Sequence, residues 1–192
     1  MSPRPRAGDQ FPLPPEIQLR EAGVLILLFP GAAGLDFFLT RRTETVENHK
    51  GQVSLPGGAQ QVGETLEQTA VRETCEELRV DAASLQLLSG PLSPLYIPVS
   101  GFRATAFVAY TPVCPDVIPE PGEVVEIIQT PLALIVDEQN VSEEIWDLHG
   151  HKATVPFFNV NGNKVWGATA MILSEFAEML RQVQVGVYHG VS

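Results

Sequence analysis

Hydrophobic positions along the chain fall into short runs, which predict a protein built mainly from β-strands. Residues 22–29 and 35–40 are two apolar runs separated by PGAAG, whose glycines suit a tight turn, so they predict a hairpin of buried strands. The next long run, 102–110, alternates two sets of side chains as a strand does. Further strands are predicted at residues 85–89, 124–130 and 153–160.

Two helices are predicted among these strands. The first begins with TLEQ, which fits a capping box between Thr65 and Gln68, and it should span about 66–78. The second, at 167–184, has an apolar residue at every fourth position. Because strands and helices interleave irregularly, with hairpins among them, the pattern favours an α+β fold in which a mixed sheet is flanked by helices.

The length of 192 residues suits a single domain with a sizeable core. Residues 1–16, MSPRPRAGDQFPLPPE, are rich in proline and carry little apolar pattern, so they predict an N-terminal arm. The remaining residues, 17–192, show no internal repeat and are expected to form one domain.

Charge and composition narrow the classes of partner. The net charge of −11 disfavours the broad attraction for phosphate that nucleic-acid binders use. No stretch approaches the roughly 18 apolar residues of a membrane helix, and the N-terminus lacks the apolar run of a signal peptide. Two cysteines are too few for a disulfide framework. We therefore expect a cytoplasmic protein with a small-molecule partner, neither nucleic acid nor membrane; the sequence predicts no particular protein partner.

The first predicted helix carries an acidic cluster. Glu73, Glu76 and Glu77 are spaced i, i+3 and i+4, so their side chains share one face. Like charges at this spacing destabilise an exposed helix by roughly 0.2–0.5 kcal/mol per pair. Mg²⁺ or Mn²⁺ would offset this repulsion, because hard cations prefer carboxylate oxygens. On these three residues alone, a solvated acidic face is the alternative interpretation.

The residues before this helix favour the metal site. Gly57 and Gly58 allow the backbone to approach a ligand closely, and backbone carbonyls also coordinate hard cations. Arg72 adds a fixed cation. Glu64 is placed to hold Arg72, and through it to help position Glu73.

These residues resemble the Nudix box, GX5EX7REUXEEXGU. Gly58 and Glu64 occupy its first two fixed positions, residues 72–77 match its charged core, and Val80 fits its closing apolar position. The resemblance implies an α/β/α sandwich with a central mixed sheet and a catalytic loop–helix–loop. Arg79 stands where the box has glycine, so it either adopts the left-handed conformation at about 1 kcal/mol or the helix ends differently.

The flanking sequence resembles the coenzyme A pyrophosphatase branch of this family. Residues 38–58, FLTRRTETVENHKGQVSLPGG, match its upstream signature, and 165–173, VWGATAMIL, match the start of its final helix. Glu47 and Leu55 depart from the upstream pattern, where arginine and phenylalanine are usual. The resemblance implies a substrate-binding role for these residues: Arg41, Arg42, His49 and Gly57. The alternatives are solvated arginines and a histidine that caps a turn.

The resemblance also implies residue roles in hydrolysis of a pyrophosphate. Glu73 and Glu77 would be the main metal ligands, Glu76 a further ligand or a supporting contact, and the carbonyl of Gly58 a backbone ligand. Arg72 would orient these groups without reacting.

The general base is left open by the sequence. Glu73 or Glu76 would serve, although a carboxylate tied to cations has a lowered pKa and is a poorer base. A loop carboxylate would serve better, with Glu123 the first candidate and Glu126 the next. A third set, Glu143 and Glu144, would act only if their loop folded over the site as a lid.

The predicted reaction is metal-dependent cleavage of coenzyme A or an acyl-CoA to 3′,5′-ADP and 4′-phosphopantetheine. ADP-ribose or a dinucleotide such as NADH is the alternative substrate, because the box specifies the diphosphate and not its substituents. Two interpretations of a different class are a nucleotide-binding domain without catalysis and an acidic surface for a protein partner.

Overall fold

The structure, a computed structural model, describes residues 19–43, 52–88, 90–98, 100–148 and 151–189. The predicted N-terminal arm, Glu47 and His49 lie outside the described residues.

Within the described residues, eight strands form a mixed main sheet. The five-strand path runs β3-β2-β1-β7-β5, while β4 pairs with β1, β6 with β7, and β8 with β2. Strands β1 and β7 are parallel, and the other pairs are antiparallel, which confirms the predicted mixed sheet. The strands are β1 Arg20–Gly31, β2 Gly34–Arg42, β3 Val53–Ser54, β4 Gly57–Ala59, β5 Gln86–Leu87, β6 Leu95–Ile97, β7 Phe102–Tyr110 and β8 Val124–Pro131.

Strand β1 is apolar on both faces because it lies between two layers. Leu25, Leu27 and Phe29 belong to one hydrophobic core, whereas Ile26 and Leu28 belong to another. The continuous apolar run of β1 is therefore what a strand buried on both faces requires. The predicted hairpin of β1 and β2 is present.

Three helices and a second sheet cover the two faces in the described part of the chain. Helix α1 packs on one face, and helices α2 and α3 pack on the other together with a sheet of order β11-β10-β9. This layering is the expected α/β/α sandwich with an added small sheet. The bounds are α1 Leu66–Leu78, α2 Ala133–Val136, α3 Gly167–His189, β9 Val141–Leu148, β10 His151–Val160 and β11 Asn163–Trp166.

The small sheet corrects one prediction. The segment that carries Glu143 and Glu144 is strand β9, antiparallel to β10, and not a lid loop. Its side chains are mostly exposed, including Val141 and Ile145, so the alternation that marks a half-buried strand is weak. Pairing with β10, which lies later in the chain, decides its conformation.

Candidate metal centre and active site

Helix α1 begins as the sequence predicts. The amide of Gln68 donates to the Thr65 hydroxyl at 3.2 Å, and the amide of Thr65 donates to the Gln68 side chain at 2.9 Å. At the other end Arg79 has φ 55°, so it adopts the left-handed conformation that glycine would take. The helix stop of the box is thus retained with a different residue.

The carboxylates of Glu73, Glu77 and Glu123 converge beside this helix and form the cluster at the centre of the site. Glu73 and Glu77 project from α1, and Glu123 joins them from the loop before β8; one carboxylate oxygen of each lies within 4.8 Å of the others. Glu77 is only 2% exposed, whereas Glu123 is exposed. Three hard oxygen donors at this separation fit a divalent cation such as Mg²⁺ or Mn²⁺.

Missing side chains allow the strands to approach α1. Gly58 pairs with Gly23 in adjacent strands, and a Cβ at Gly58 would lie 2.5 Å from Oε2 of Glu73. A Cβ at Gly23 would lie 2.8 Å from the amide nitrogen of Ala70 in the helix. Gly23 is therefore required by its close approach to the helix backbone, whereas a side chain at Gly58 would displace a carboxylate of the cluster.

Gly57 combines a backbone conformation that favours glycine with a close contact. Its φ is 151°, and a Cβ there would lie 2.5 Å from the carbonyl oxygen of Gly23. Gly57 and Gly58 belong to short strand β4, which pairs with β1.

Arg72 holds three glutamates at once. Its guanidinium contacts Glu64 at 2.6 Å, Glu73 at 2.8 Å and Glu76 at 2.9 Å, and it donates to the carbonyl of Ala59 at 3.3 Å. Hydrogen bonding to Arg72 lowers the pKa of Glu64 to about 2. The structure thus places Glu64 where it supports Arg72, and Arg72 where it orients Glu73.

Glu76 is separated from the converging carboxylates. Its side chain is 59% exposed and ion-paired with Arg72, and it is not one of the three residues whose oxygens meet. Sequence spacing alone put Glu76 on the same face as Glu73 and Glu77, but its side chain lies at the solvent side of that face, where it pairs with Arg72. Glu123 supplies the third carboxylate instead.

Burial makes the cluster electrostatically unfavourable without a cation. The pKa of Glu77 is raised to about 8, chiefly by burial and also by the nearby charges of Glu123 and Glu73, although Arg42 acts in the opposite direction. Burial likewise raises the pKa of Glu73, although Arg72 acts in the opposite direction. A bound divalent cation would favour the ionised forms of Glu73 and Glu77, so the donor set fits such an ion in charge as well as in atom type.

Polar residues of β2 contact the carboxylate of Glu77 from the side of the main sheet. Nη1 of Arg42 lies 3.6 Å from Oε1 of Glu77, and the Thr40 hydroxyl donates to Oε2 at 3.4 Å. Ser54 pairs with Thr40 across the sheet, and its buried hydroxyl has no hydrogen-bond partner among the described residues. Thr40 and Ser54 were not predicted; the period of two along Phe38, Thr40 and Arg42 is the signal that would have placed Thr40 beside the helix.

Arg41 points away from the cluster. It donates to Glu126 at 2.9 Å and to Asn163 in the small sheet at 2.6 Å. Glu126, the second candidate for the base, is thereby held on this opposite face. Glu144 is bound to Lys164 at 2.7 Å within the small sheet. The structure therefore brings neither of these glutamates to the converging carboxylates.

Comparisons with known proteins agree with this geometry. A sequence model of the NUDIX domain matches residues 19–145. Among the described residues, no helix has the length and apolar character needed to cross a membrane. The crystal structure of the Nudix hydrolase RenU from M. smegmatis superposes with a TM-score of 0.57 at 19% identity, over 87% of this chain and 86% of that one, which shows a shared fold.

Curated relatives are more similar in sequence. An uncharacterized Nudix hydrolase NudL of Pectobacterium atrosepticum is 33% identical over 88% of each chain. The human mitochondrial coenzyme A diphosphatase NUDT8 is 34% identical, over 74% of this chain and 61% of that protein. Nudix hydrolase 22, chloroplastic, of Arabidopsis thaliana is 32% identical over 88% of this chain, but the match spans 58% of its own length. With a family model over most of its length and relatives of this similarity, the chain belongs to the Nudix family.

Proposed function

We propose that the protein is a divalent-metal-dependent hydrolase that cleaves the pyrophosphate of coenzyme A or an acyl-CoA, giving 3′,5′-ADP and 4′-phosphopantetheine or its acyl form. The observation that carries the hydrolase proposal is the convergence of Glu73, Glu77 and Glu123. The coenzyme A branch is supported by the upstream signature around Arg41 and Arg42 and by the similarity to NUDT8.

In this proposal, the carboxylates of Glu73 and Glu77 and the carbonyl of Gly58 hold Mg²⁺ or Mn²⁺, and the carboxylate of Glu123 lies beside the ion without being tied to it. The ion supplies charge neutralisation and Lewis acidity to the pyrophosphate. Arg72 holds Glu73 in position through the contact at 2.8 Å. Glu76 serves as an outer support of Arg72.

We propose Glu123 as the general base that takes a proton from the attacking water. Glu73 is a poorer candidate because it is paired with Arg72 and would bind the metal, and Glu76 is a poorer candidate because it is paired with Arg72 outside the converging carboxylates. Glu123 reaches the cluster from a loop and is the exposed member, so water has access to it. In this role, a carboxylate oxygen of Glu123 would lie within about 3 Å of the oxygen of the attacking water.

Two of the proposed substrate contacts, Arg42 and Gly57, lie on the α1 side of the sheet, beside the cluster. Arg42 is next to the cluster, and its cation would meet a phosphate there. Gly57 lies beside Gly58, so its backbone would approach the substrate closely. Arg41 and His49 complete the substrate-binding set; the contacts of Arg41 with Glu126 and Asn163 would have to be shared or exchanged. The substrate is a free small molecule, and we expect the reaction to take place in the cytoplasm.

Product analysis tests substrate and reaction together. The purified protein is incubated with Mg²⁺ and an equal mixture of coenzyme A, ADP-ribose and NADH in water enriched in heavy oxygen. Labelled 3′,5′-ADP or phosphopantetheine, formed only with metal, would support the proposal. AMP products from the other two substrates alone would contradict the coenzyme A branch. No cleavage with either Mg²⁺ or Mn²⁺ would favour a nucleotide-binding domain without catalysis.

A matched pair of variants tests the metal site. Glu77→Gln keeps the size of the buried side chain but removes its charge, so turnover should fall at least about 100-fold and the affinity for Mn²⁺ should fall. Glu67→Gln makes the same chemical change at an exposed position of the same helix, outside the cluster. Undiminished turnover in Glu77→Gln would exclude the proposed metal site.

A further inference from the structure

Arg79 forms an ion pair that the glycine of the Nudix box could not form. It occupies the left-handed conformation, which is strained for a residue with a Cβ. Its guanidinium donates to one oxygen of Glu120, from Nη2 at 2.8 Å and from Nε at 3.3 Å. Glycine would relieve the strain but would lose this ion pair.

Glu120 lies in the loop that carries Glu123. The amide of Glu120 donates to the carbonyl of Glu77 at 3.2 Å, and the amide of Ile118 donates to the carbonyl of Leu78 at 3.1 Å. These two bonds satisfy carbonyls at the C-terminal end of α1 that have no partner within a helix. They also join the loop to the helix turn that contains Glu77.

Two more backbone hydrogen bonds fix the position of Glu123, whose carboxylate belongs to the cluster. The carbonyl of Glu120 accepts from the amide of Glu123 at 3.0 Å, which forms a tight turn between them. The carbonyl of Glu123 accepts from the amide of Thr43 at the end of β2, also at 3.0 Å. The position of Glu120 therefore determines where Glu123 enters the cluster.

We propose that Arg79 and Glu120 form a positioning pair that fixes the loop of residues 117–123 against the end of α1 and so holds Glu123 beside Glu73 and Glu77. Neither residue touches the reacting atoms. The effects on catalysis and on metal binding rest on the function proposed above, but the effect on the loop does not.

The conformation of Arg79 separates this role from ordinary stabilisation. Removing an ion pair normally lowers stability and activity together. In Arg79→Gly the strain disappears with the pair, so the melting temperature should stay constant or rise while the loop loosens. A loss of function in this variant is then not explained by unfolding.

The experiment compares Arg79→Gly, Glu120→Gln and the double variant with the wild type. Free Mn²⁺ is counted by electron paramagnetic resonance, and hydrogen exchange is measured at the amides of Ile118 and Glu120. Each single variant should weaken Mn²⁺ binding about two- to fivefold, the range expected for an exposed ion pair, and should speed exchange at both amides. The double variant should bind Mn²⁺ no more weakly than the weaker-binding of the two single variants, because both substitutions remove the same contact.

Two further variants complete the test. Exchanging the charges, with Arg79→Glu and Glu120→Arg together, should restore Mn²⁺ affinity relative to either exchange alone. Lys164→Gln is the control, because it removes a similar ion pair in the small sheet and should leave Mn²⁺ binding unchanged. The Lys164–Glu144 pair has a length of 2.7 Å and a lysine side chain that is 47% exposed, whereas the Arg79–Glu120 pair has a length of 2.8 Å and an arginine side chain that is 50% exposed.

The outcomes are distinguishable. Unchanged Mn²⁺ binding and unchanged exchange in Arg79→Gly would overturn the positioning role, even if the wild type hydrolyses coenzyme A. Additive losses in the double variant would also overturn it, since the two residues would then act separately. If the expected changes appear but the wild type cleaves none of the three test substrates, the positioning role stands and the proposed function fails.

Discussion

Arg41 and Arg42 are neighbours in the same strand, and they face two different parts of the molecule. Arg42 lies on the α1 side, 3.6 Å from the buried carboxylate of Glu77. Arg41 lies on the opposite side and connects Glu126 of β8 with Asn163 of the small sheet. The alternation of a strand therefore gives two identical side chains an electrostatic role at the cluster and a connecting role between sheets.

The difference shows what a matching sequence signature leaves undecided. Both arginines match the upstream pattern of the coenzyme A branch, and both were predicted to bind substrate. Their surroundings differ in one respect that matters for binding: the guanidinium of Arg41 already donates to two protein oxygens. The predictions below test how far the two sides of the sheet act independently.

The largest effect is expected on the α1 side in the absence of metal. Because the pKa of Glu77 is raised to about 8 in the folded protein, the folded state binds more protons than the unfolded state between about pH 4.5 and pH 8. The free energy of unfolding should therefore fall as the pH rises through this window, by on the order of 5 kcal/mol. Urea denaturation in EDTA at several pH values measures it.

Glu77→Gln is the control for this titration, because it lacks the ionisable group. Its unfolding free energy should depend less on pH in the same window, and added Mn²⁺ should reduce the dependence in the wild type. Parallel curves for the two proteins would contradict the assignment of the effect to Glu77.

Gly58→Ala should cause the next largest effect, on the same side of the sheet. The new methyl group would occupy the space of the Glu73 carboxylate, which would have to move. A displacement of about 1 Å at a catalytic group reduces turnover about 100-fold, so we expect a loss of this order with the fold retained. Gly90→Ala, where a Cβ meets open space, is the matched control. Equal activity of both variants would show that Glu73 tolerates displacement.

Arg42→Gln should have a smaller effect, about tenfold on kcat/KM. It removes the cation that favours the ionised form of Glu77, so metal binding should weaken and the pKa of Glu77 should rise further. The pH dependence of Mn²⁺ affinity would record this shift toward higher pH. An unshifted profile would mean that Arg42 does not act on Glu77.

Arg41→Gln should have the smallest effect on turnover, about twofold, and a separate effect on stability. Loss of the bonds to Glu126 and Asn163 should lower the free energy of unfolding by about 1 kcal/mol. If KM for coenzyme A rises as much as in Arg42→Gln, Arg41 contacts substrate directly and the two sides of the sheet share the substrate.

Helix α1 was the most predictable part because its signals are local. The capping box, the spacing of Glu73 and Glu77, and the alternatives for Arg79 could all be stated from adjacent residues, and the predicted bounds, 66–78, are those observed. The mixed sheet was predictable for a similar reason, since its central strands are apolar runs. Family membership followed from the motif and is confirmed.

The small sheet and the composition of the cluster depended on contacts between distant residues. Strand β9 has little alternation because its side chains are exposed. Which acids the guanidinium of Arg72 contacts is also a matter of tertiary geometry, and it pairs with the exposed Glu76 as well as with Glu73. The arrival of Glu123 beside the helix depends on the loop bonds to α1, which no local pattern encodes.

The parallel pairing of β1 with β7 has a consequence for synthesis of the chain. Glu21 of β1 lies beside Arg103, 82 positions later, so this pair forms only after a long segment has been made. A nascent chain that ends before β7 can contain the whole of α1, with two carboxylates of the cluster, but not the strand that completes the centre of the sheet. Non-local pairing of this kind slows folding. We therefore expect the ability to bind metal to emerge late in translation, after Glu123 has left the ribosome, rather than with the helix that carries the motif.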